Sequence, residues 1–495
     1  MHSWSLNVSR KRLLVVVVTV LSVGALLFYG FRGKIMSEKL GTRQITALLS
    51  GGLDLPLAPE NISTIALYQI HLNLWDTLVS LHGEPAAAKL IDISEQGKVF
   101  RFEILPGTSF SNGRKMISDD VVFSIQRLMD KQPGGHFNAK SAIEKIEVIS
   151  QRQLKIVLNK PTPAFLFLLS TPEMGIVPKE ACDKDGNIKD LSVTSGAYVV
   201  DGAPQADRIA LKKNPYFKKN DLGSPDSLTV LFRDEVVAKV PGFNPEDTDF
   251  VEVYDSTGIP LFRKMKENSK FSYKATRPSC SVFLMTNVKT LPKAQRIALA
   301  SVINENIGKH FKFDPDMEVG SHEVLPPGTF GSLGLKSALV KGQTGILPRK
   351  LRVGVTDKNS PFVRSLFAIL EEAKIELEVA KYGNSDDYDL TIMAQGMNSD
   401  YPEIEFYLNM VSPWAFIPAS EDEKALIVRT IHTDDSKLRS TALQKIGSDL
   451  LADGRVIPIL VRSYVHLYRK EKIDLEHLTN YDGDVPFWKM RVLPR

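Results

Sequence analysis

Nine histidines are scattered along the 495-residue chain, and no two stand at i, i+4 spacing, so no helix can offer a paired-imidazole metal site. His71, His136 and His310 read as surface or core imidazoles. Neither H-E-x-x-H nor G-x-S-x-G occurs. Gly331 to Ser337 (GSLGLKS) has the outline of a phosphate loop, but Leu335 precedes Lys336 and the G-K-[ST] step is missing, which leaves a surface loop. Cys182 and Cys280 each lack a second cysteine at C-x-x-C spacing. They leave room for one disulfide, although two unrelated thiols is the preferred reading. The adjacent carboxylates Asp119 and Asp120 suit the positive end of a helix dipole better than acid/base work. Asp400 can cap a helix starting near Tyr401, with Glu403 completing a capping box. No catalysis, metal or cofactor is expected.

The elements that would position any site come from patterning. Apolar content of 43% and charged content of 24% describe a globular chain, and its length predicts about three domains. A net charge of +4 is close to balanced, so nucleic acid is not expected as a partner. Ile45 to Leu49 reads as a short buried strand ended by Gly51-Gly52, and Ile65 to Val79 as a helical continuation. Val99 to Ile104 is a strand, and Asn112-Gly113 suits a tight hairpin. A helix then starts at Ser118 as cap, with Val121, Val122, Ile125, Leu128 and Met129 on its apolar face. Ile143 to Ile149 and Leu154 to Leu158 alternate like paired strands. Leu351 to Val355, Pro361 to Glu372 and Ile375 to Val379 give a strand, helix, strand order, with Asp389 to Ala394 as a further strand.

Arg10, Lys11 and Arg12 precede an uninterrupted apolar run from Leu13 to Phe31, long enough as a helix to cross a bilayer. The best small-x-small cleavage candidate, Ser22-Val23-Gly24, lies inside that run, and no cysteine follows for lipid attachment. An uncleaved anchor over residues 13–31 is therefore favoured over a removed signal. Basic residues on both sides leave its orientation undecided by charge.

Several blocks together resemble the peptide-binding family 5 of ABC-importer solute receptors. The run Phe100 to Leu128 (FRFEILPGTSFSNGRKMISDDVVFSIQRL) is similar to that family's strand, Gly turn, hairpin and helix signature. Leu158 to Phe165, Ile176-Val177-Pro178-Lys179, Ser195-Gly196-Ala197-Tyr198 and Lys213 to Phe217 resemble its later motifs, as do Val282 to Asn287 and the helix Ala294 to Ile307. The resemblance implies an α/β, periplasmic-binding-protein-like fold, with two lobes around a cleft plus the inserted domain of the larger peptide receptors, preceded by one N-terminal transmembrane helix. Residues 1–44 would be anchor or signal and linker. Lobe I would take 45–71, 182–275 and 470–495, the inserted domain 72–181, and lobe II 276–469. Lys381 to Asp387 is shorter than the family's helix-bearing segment there.

The implied function is extracytoplasmic capture of peptides, or a similar solute such as a nickel chelate or an oligosaccharide, and delivery to the membrane subunits of an ABC importer. The protein would stand on the periplasmic side of the cytoplasmic membrane. The competing reading is a membrane-tethered scaffold or sensor that keeps the fold without transport. By position, Asp400 would take a peptide's α-ammonium, and the backbone of Gly396, Met397 and Asn398 would pair with the ligand main chain. Met397 stands where the family often has Trp. Trp75 falls near the cleft in the family, with Thr77 in place of its Gly, and Tyr198 would line the cleft from lobe I, although each also suits core packing.

Overall fold

The structure, a computed structural model, describes residues 43–494 apart from 63, 81–82, 132–138, 220–222, 234–242, 256, 341–345, 356–357, 382–386, 397–399, 413–414 and 479–484. The expected anchor over 13–31, and Met397 and Asn398, lie outside the described residues. Among the described residues no helix is long and apolar enough to cross a membrane.

In chain order the elements are β1 (Gln44–Leu49), α1 (Ile65–Leu74), β2 (Ala88–Ser94), β3 (Val99–Ile104), α2 (Ser118–Lys131), β4 (Ile143–Ser150), β5 (Gln153–Leu158) and β6 (Tyr198–Val200). They continue with β7 (Arg208–Lys213), β8 (Ser227–Phe232), β9 (Phe250–Val253), α3 (Ile259–Lys266), β10 (Phe271–Ala275), β11 (Cys280–Thr286), α4 (Lys293–His310) and β12 (Glu318–Gly320). After these come β13 (Lys350–Val355), α5 (Pro361–Glu372), β14 (Glu376–Lys381), β15 (Leu390–Gly396), α6 (Pro402–Met410), α7 (Glu421–Ile431), α8 (Ser436–Ala452), β16 (Val456–Arg462) and β17 (Val465–Arg469).

Three sheets organise them. A seven-stranded sheet runs β10-β17-β9-β1-β8-β7-β6, with β9, β1 and β8 parallel at its centre. A six-stranded sheet runs β12-β16-β11-β15-β13-β14. The third is an antiparallel four-stranded sheet, β2-β3-β5-β4. Its period-two residues Phe100, Phe102, Leu154 and Ile156 meet Val121, Ile125 and Leu128 of α2 in one core. Its other face carries ion pairs such as Arg101 with Asp92 and Lys155 with Glu147.

The Asn112-Gly113 hairpin forms: Phe110 N–H donates to the Arg114 carbonyl at 2.8 Å, and Gly113 sits at φ +85°, where a side chain would be strained. The helix start differs in detail from expectation. Ser118 is the first residue of α2 and its hydroxyl has no hydrogen-bond partner. Asp120 does the local tying instead, accepting from Ile117 N–H at 2.9 Å and from Arg114 at 2.8 and 3.0 Å.

The chain passes between the seven- and six-stranded sheets twice, at 276–279 and at 463–464, and the two connections lie side by side. Thr276 N–H donates to the Tyr464 carbonyl and Tyr464 N–H to Thr276 Oγ1, both at 2.9 Å. One flank of this crossing is sealed: Met317, beside β12, is buried among Val251, Phe262, Met265 and Phe271. Arg263 pairs with Asp314 at 2.7 Å, and the Tyr273 hydroxyl donates to Asp316 at 3.0 Å.

Candidate functional site

In sheets with parallel strands, ligands collect beyond the carboxyl ends of those strands. Here β8 is followed by Arg233, β1 by Ser50 and Gly51, and β9 by Tyr254 and Asp255. Arg233 is nearly buried and donates to Ser50 Oγ at 2.9 Å, Asp255 at 2.6 Å and Thr257 Oγ1 at 3.0 Å. Burial alone would lift the Asp255 carboxyl. The Arg233 charge, with hydrogen bonds from Arg233, Thr257 and the Gly258 amide, outweighs it and holds that carboxyl below its ordinary range. The result is a rigid, charged corner at the mouth of the seven-stranded sheet.

Two half-buried tyrosines extend this corner across the crossing. Tyr254 and Tyr464 have ring centroids 6.3 Å apart, tilted by 44°. A Cβ on Gly51, which adopts φ +102°, would stand 3.7 Å from the Tyr254 hydroxyl, and one on Gly396 would stand 2.9 Å from the Tyr464 hydroxyl. The pair thus spans from the end of β1 to the end of β15. Arg462 braces it: the guanidinium is held on Glu318 at 2.7 and 3.1 Å and reaches the Tyr254 carbonyl at 3.4 Å. This floor was not anticipated from sequence.

Gly396 ends β15, exposed, opposite Cys280 in the register. Asp400 is exposed, and its carbonyl accepts from Arg439 at 2.8 Å. The capping expectation fails. Pro402 opens α6, which makes Tyr401 the cap residue, with no side-chain cap bond, and puts Glu403 one place too early for a capping box. Glu403 is instead buried and paired with Arg439 at 2.7 Å. Burial raises the Glu403 carboxyl while the Arg439 charge pulls it back. Beside this knot, Gln395 donates to Glu405 at 2.7 Å. The surrounding protein, opposed by that bond and helped by nearby Glu173, pushes Glu405 up to about 7.

The other two expected residues sit in the core. Trp75 is 2% exposed, and its indole N–H donates to His71 Nδ1 at 3.1 Å, an acceptor kept neutral because burial drops His71 to about 3. Tyr198 is fully buried and donates to the Pro225 carbonyl at 3.0 Å. Gly196 is a close-approach turn, since a Cβ there would come within 2.5 Å of the Asn73 carbonyl oxygen. The burial of Trp75 and Tyr198 follows from their places at the end of α1 and the start of β6, where α1 packs against the β6 edge of the seven-stranded sheet.

Around GSLGLKS, the amides of Leu333 and Gly334 do form an anion nest, and the protein's own Glu323 fills it, at 2.5 and 3.1 Å. Cys182 and Cys280 are both free thiols. Among the described residues no group of three or more His, Cys, Asp or Glu could hold a metal.

Residues 83–307 match the family described as bacterial extracellular solute-binding proteins, family 5 middle. The periplasmic oligopeptide-binding protein OppA of Salmonella typhimurium is 24% identical over 326 residues, 59% of this chain and 59% of its own. A probable deoxycholate-binding periplasmic protein of Escherichia coli is 28% identical over 187 residues, 33% of this chain and 35% of its own. The chain thus spans between about a third and three fifths of the length of these curated relatives. In structure, the periplasmic binding protein DppA of Helicobacter pylori, in complex with a peptide, superposes with a TM-score of 0.74 at 17% identity, over 92% of this chain and 99% of that one.

Proposed function

We propose that this chain, whose residues 83–307 match the family 5 bacterial extracellular solute-binding proteins, captures peptides in the cleft between its two large sheets and hands them to an ABC importer. The observation that carries the reading is the floor of Tyr254 and Tyr464, which joins the ends of β1 and β15 beside the Arg233 corner. A peptide lying on that floor would run along residues 396–399 as an added strand, its amino terminus at the exposed carboxylate of Asp400. Main-chain pairing accepts many side chains, and a single carboxylate sets the register. Lobe I would be built on the seven-stranded sheet, lobe II on the six-stranded one, and the four-stranded sheet would be the inserted domain. Periplasmic capture by a protein held at the membrane through residues 13–31 fits the same reading. Closure over the solute has to come from contacts made better in the closed form than in the open one.

Native mass spectrometry of the full chain in detergent micelles tests it. Short peptides should be released on denaturation. Replacing Asp400 by Asn should weaken their binding about 30-fold or more, the range expected when one partner of a desolvated charge pair is removed. A cleft that retains no peptide from a mixed pool would point to the tethered scaffold, and retention of a bile-acid-like or chelate ligand would change the solute class.

A further inference from the structure

The four-stranded unit touches the six-stranded unit directly. Ala164, Leu168 and Ile404 form a small buried cluster, with Phe167, Tyr401 and Leu408 packed against it. The rings of Phe167 and Tyr401 stack with centroids 6.1 Å apart and 27° between planes. His432, just past α7, lies 3.0 Å by Nδ1 from the Pro161 carbonyl and 3.3 Å from Thr162 Oγ1. A carbonyl only accepts, so Nδ1 carries the proton. Thr162 Oγ1 donates to the Lys160 carbonyl at 3.2 Å and is left as a second acceptor for the same N–H.

Residues 161–168 and 401–432 are joined through the chain only by way of the seven-stranded unit and the crossing at 276–279 and 463–464. These side-chain contacts therefore tie the two units together independently of the connecting chain. What they hold in place matters for the site. Tyr401 follows Asp400 directly. Arg439 lies over the Tyr401 ring at 5.1 Å while donating to the Asp400 carbonyl at 2.8 Å and to Glu403. Phe167, packed on the same Tyr401 ring that Arg439 contacts, therefore helps to fix the backbone that carries Asp400.

We propose that Phe167, supplied by the four-stranded unit, is a positioning residue for Asp400: its stack on Tyr401 clasps the four- and six-stranded units together and holds the Asp400 backbone in its binding geometry. The proposal deepens the peptide-capture reading and rests on it for the role of Asp400, but not for the clasp itself.

Two measurements on the full chain in detergent micelles test it. Nitroxides at Arg101→Cys and Asp422→Cys, with Cys182 and Cys280 replaced by Ala, report the distance between the two units by electron–electron resonance. In the empty protein, Phe167→Ala should reduce the ratio of closed to open population about three- to tenfold, the worth of one aromatic pair. Phe167→Tyr should restore it. Tyr401→Ala should have the same effect, and the two alanine changes together should add little, since each removes the same stack. With trialanine as the probe, Phe167→Ala should speed dissociation by a similar factor and leave association unchanged. An unaltered distance distribution in both Phe167→Ala and Tyr401→Ala would overturn the clasp. A clasp lost on cue in a protein that takes up neither trialanine nor any peptide would uphold the clasp while refuting the peptide reading. Faster dissociation that Phe167→Tyr fails to rescue would reduce Phe167 to bulk packing and overturn its positioning role.

Discussion

Arg439→Met isolates the buried knot beneath Asp400. The Arg439 and Glu403 side chains are 11% and 2% exposed, their ion pair is 2.7 Å long, and the second Glu403 oxygen has no hydrogen-bond partner. Methionine keeps most of the volume and removes the positive charge paired with that carboxylate. Stranding one partner of a buried pair costs about 3–5 kcal/mol. The loss should depend on pH in a definite direction. Burial already raises the Glu403 carboxyl above its ordinary 4.5 against the pull of Arg439, and without the arginine it rises further. A carboxyl whose folded pKa exceeds its unfolded one contributes stability that is complete below the unfolded value and is lost as pH rises through the folded value. The defect should therefore be small near pH ~4 and full near pH ~8. Urea unfolding of the full chain in detergent micelles, followed by circular dichroism at the two pH values, measures it. Arg439→Met with Glu403→Leu should recover most of the loss, because no charge is then left buried. A loss under about 1 kcal/mol at the higher pH, or an equal loss at both, would refute the argument.

Glu405, pushed up to about 7, carries the same sign: its contribution is fully present below pH 4.5 and fades as pH rises through about 7, so Glu405→Gln should flatten the pH dependence of the unfolding midpoint between those values. Gly175→Ala would place a Cβ 2.5 Å from the Trp75 Cβ and should destabilise by about 1–3 kcal/mol in the same unfolding assay. Cys280 is buried and its thiol is pushed up to about 11, so a disulfide reagent at neutral pH should label the half-buried Cys182 first and Cys280 only on unfolding.

Local elements were readable wherever one short stretch contained all of its own determinants. Ser360 caps α5 through the Val363 amide with Pro361 at its first position, and the flanking β13 and β14 carry the apolar runs that frame it. The Asn112-Gly113 turn is equally self-contained. The cap at Ser118 was misassigned because residue type alone does not reveal that Asp120, drawn in by Arg114, takes the Ile117 amide. Trp75 and Tyr198 lie in motif-like segments, and whether such a ring faces core or cleft depends on neighbours as distant as Gly175 and Pro225. Arg233, Tyr254 and Tyr464 were invisible for a related reason: each is a lone residue after an apolar run, and only the strand order brings them together. Their shared signal was position, immediately beyond the carboxyl end of a buried strand or crossing connection.

Two side-chain contacts join separate sheets, one at Met317 and one at Phe167, and they differ in kind. At the first, Met317 is sunk into the core of the seven-stranded unit, and the Asp314 and Asp316 carboxylates grip Arg263 and Tyr273. Breaking that contact would expose core and strand charges. At the second, the Phe167 and Tyr401 stack has half-buried rings and a few hydrogen bonds, cheap enough to break and remake. On the proposed reading, a ligand on the tyrosine floor would need only to add its own contacts to this weak clasp to tip the balance, because what shifts a two-state equilibrium is the difference in affinity for its states. On the proposed reading, the residues that set how firmly the four- and six-stranded units are held together are Phe167 and Tyr401, not the charged groups around Asp314 and Asp316.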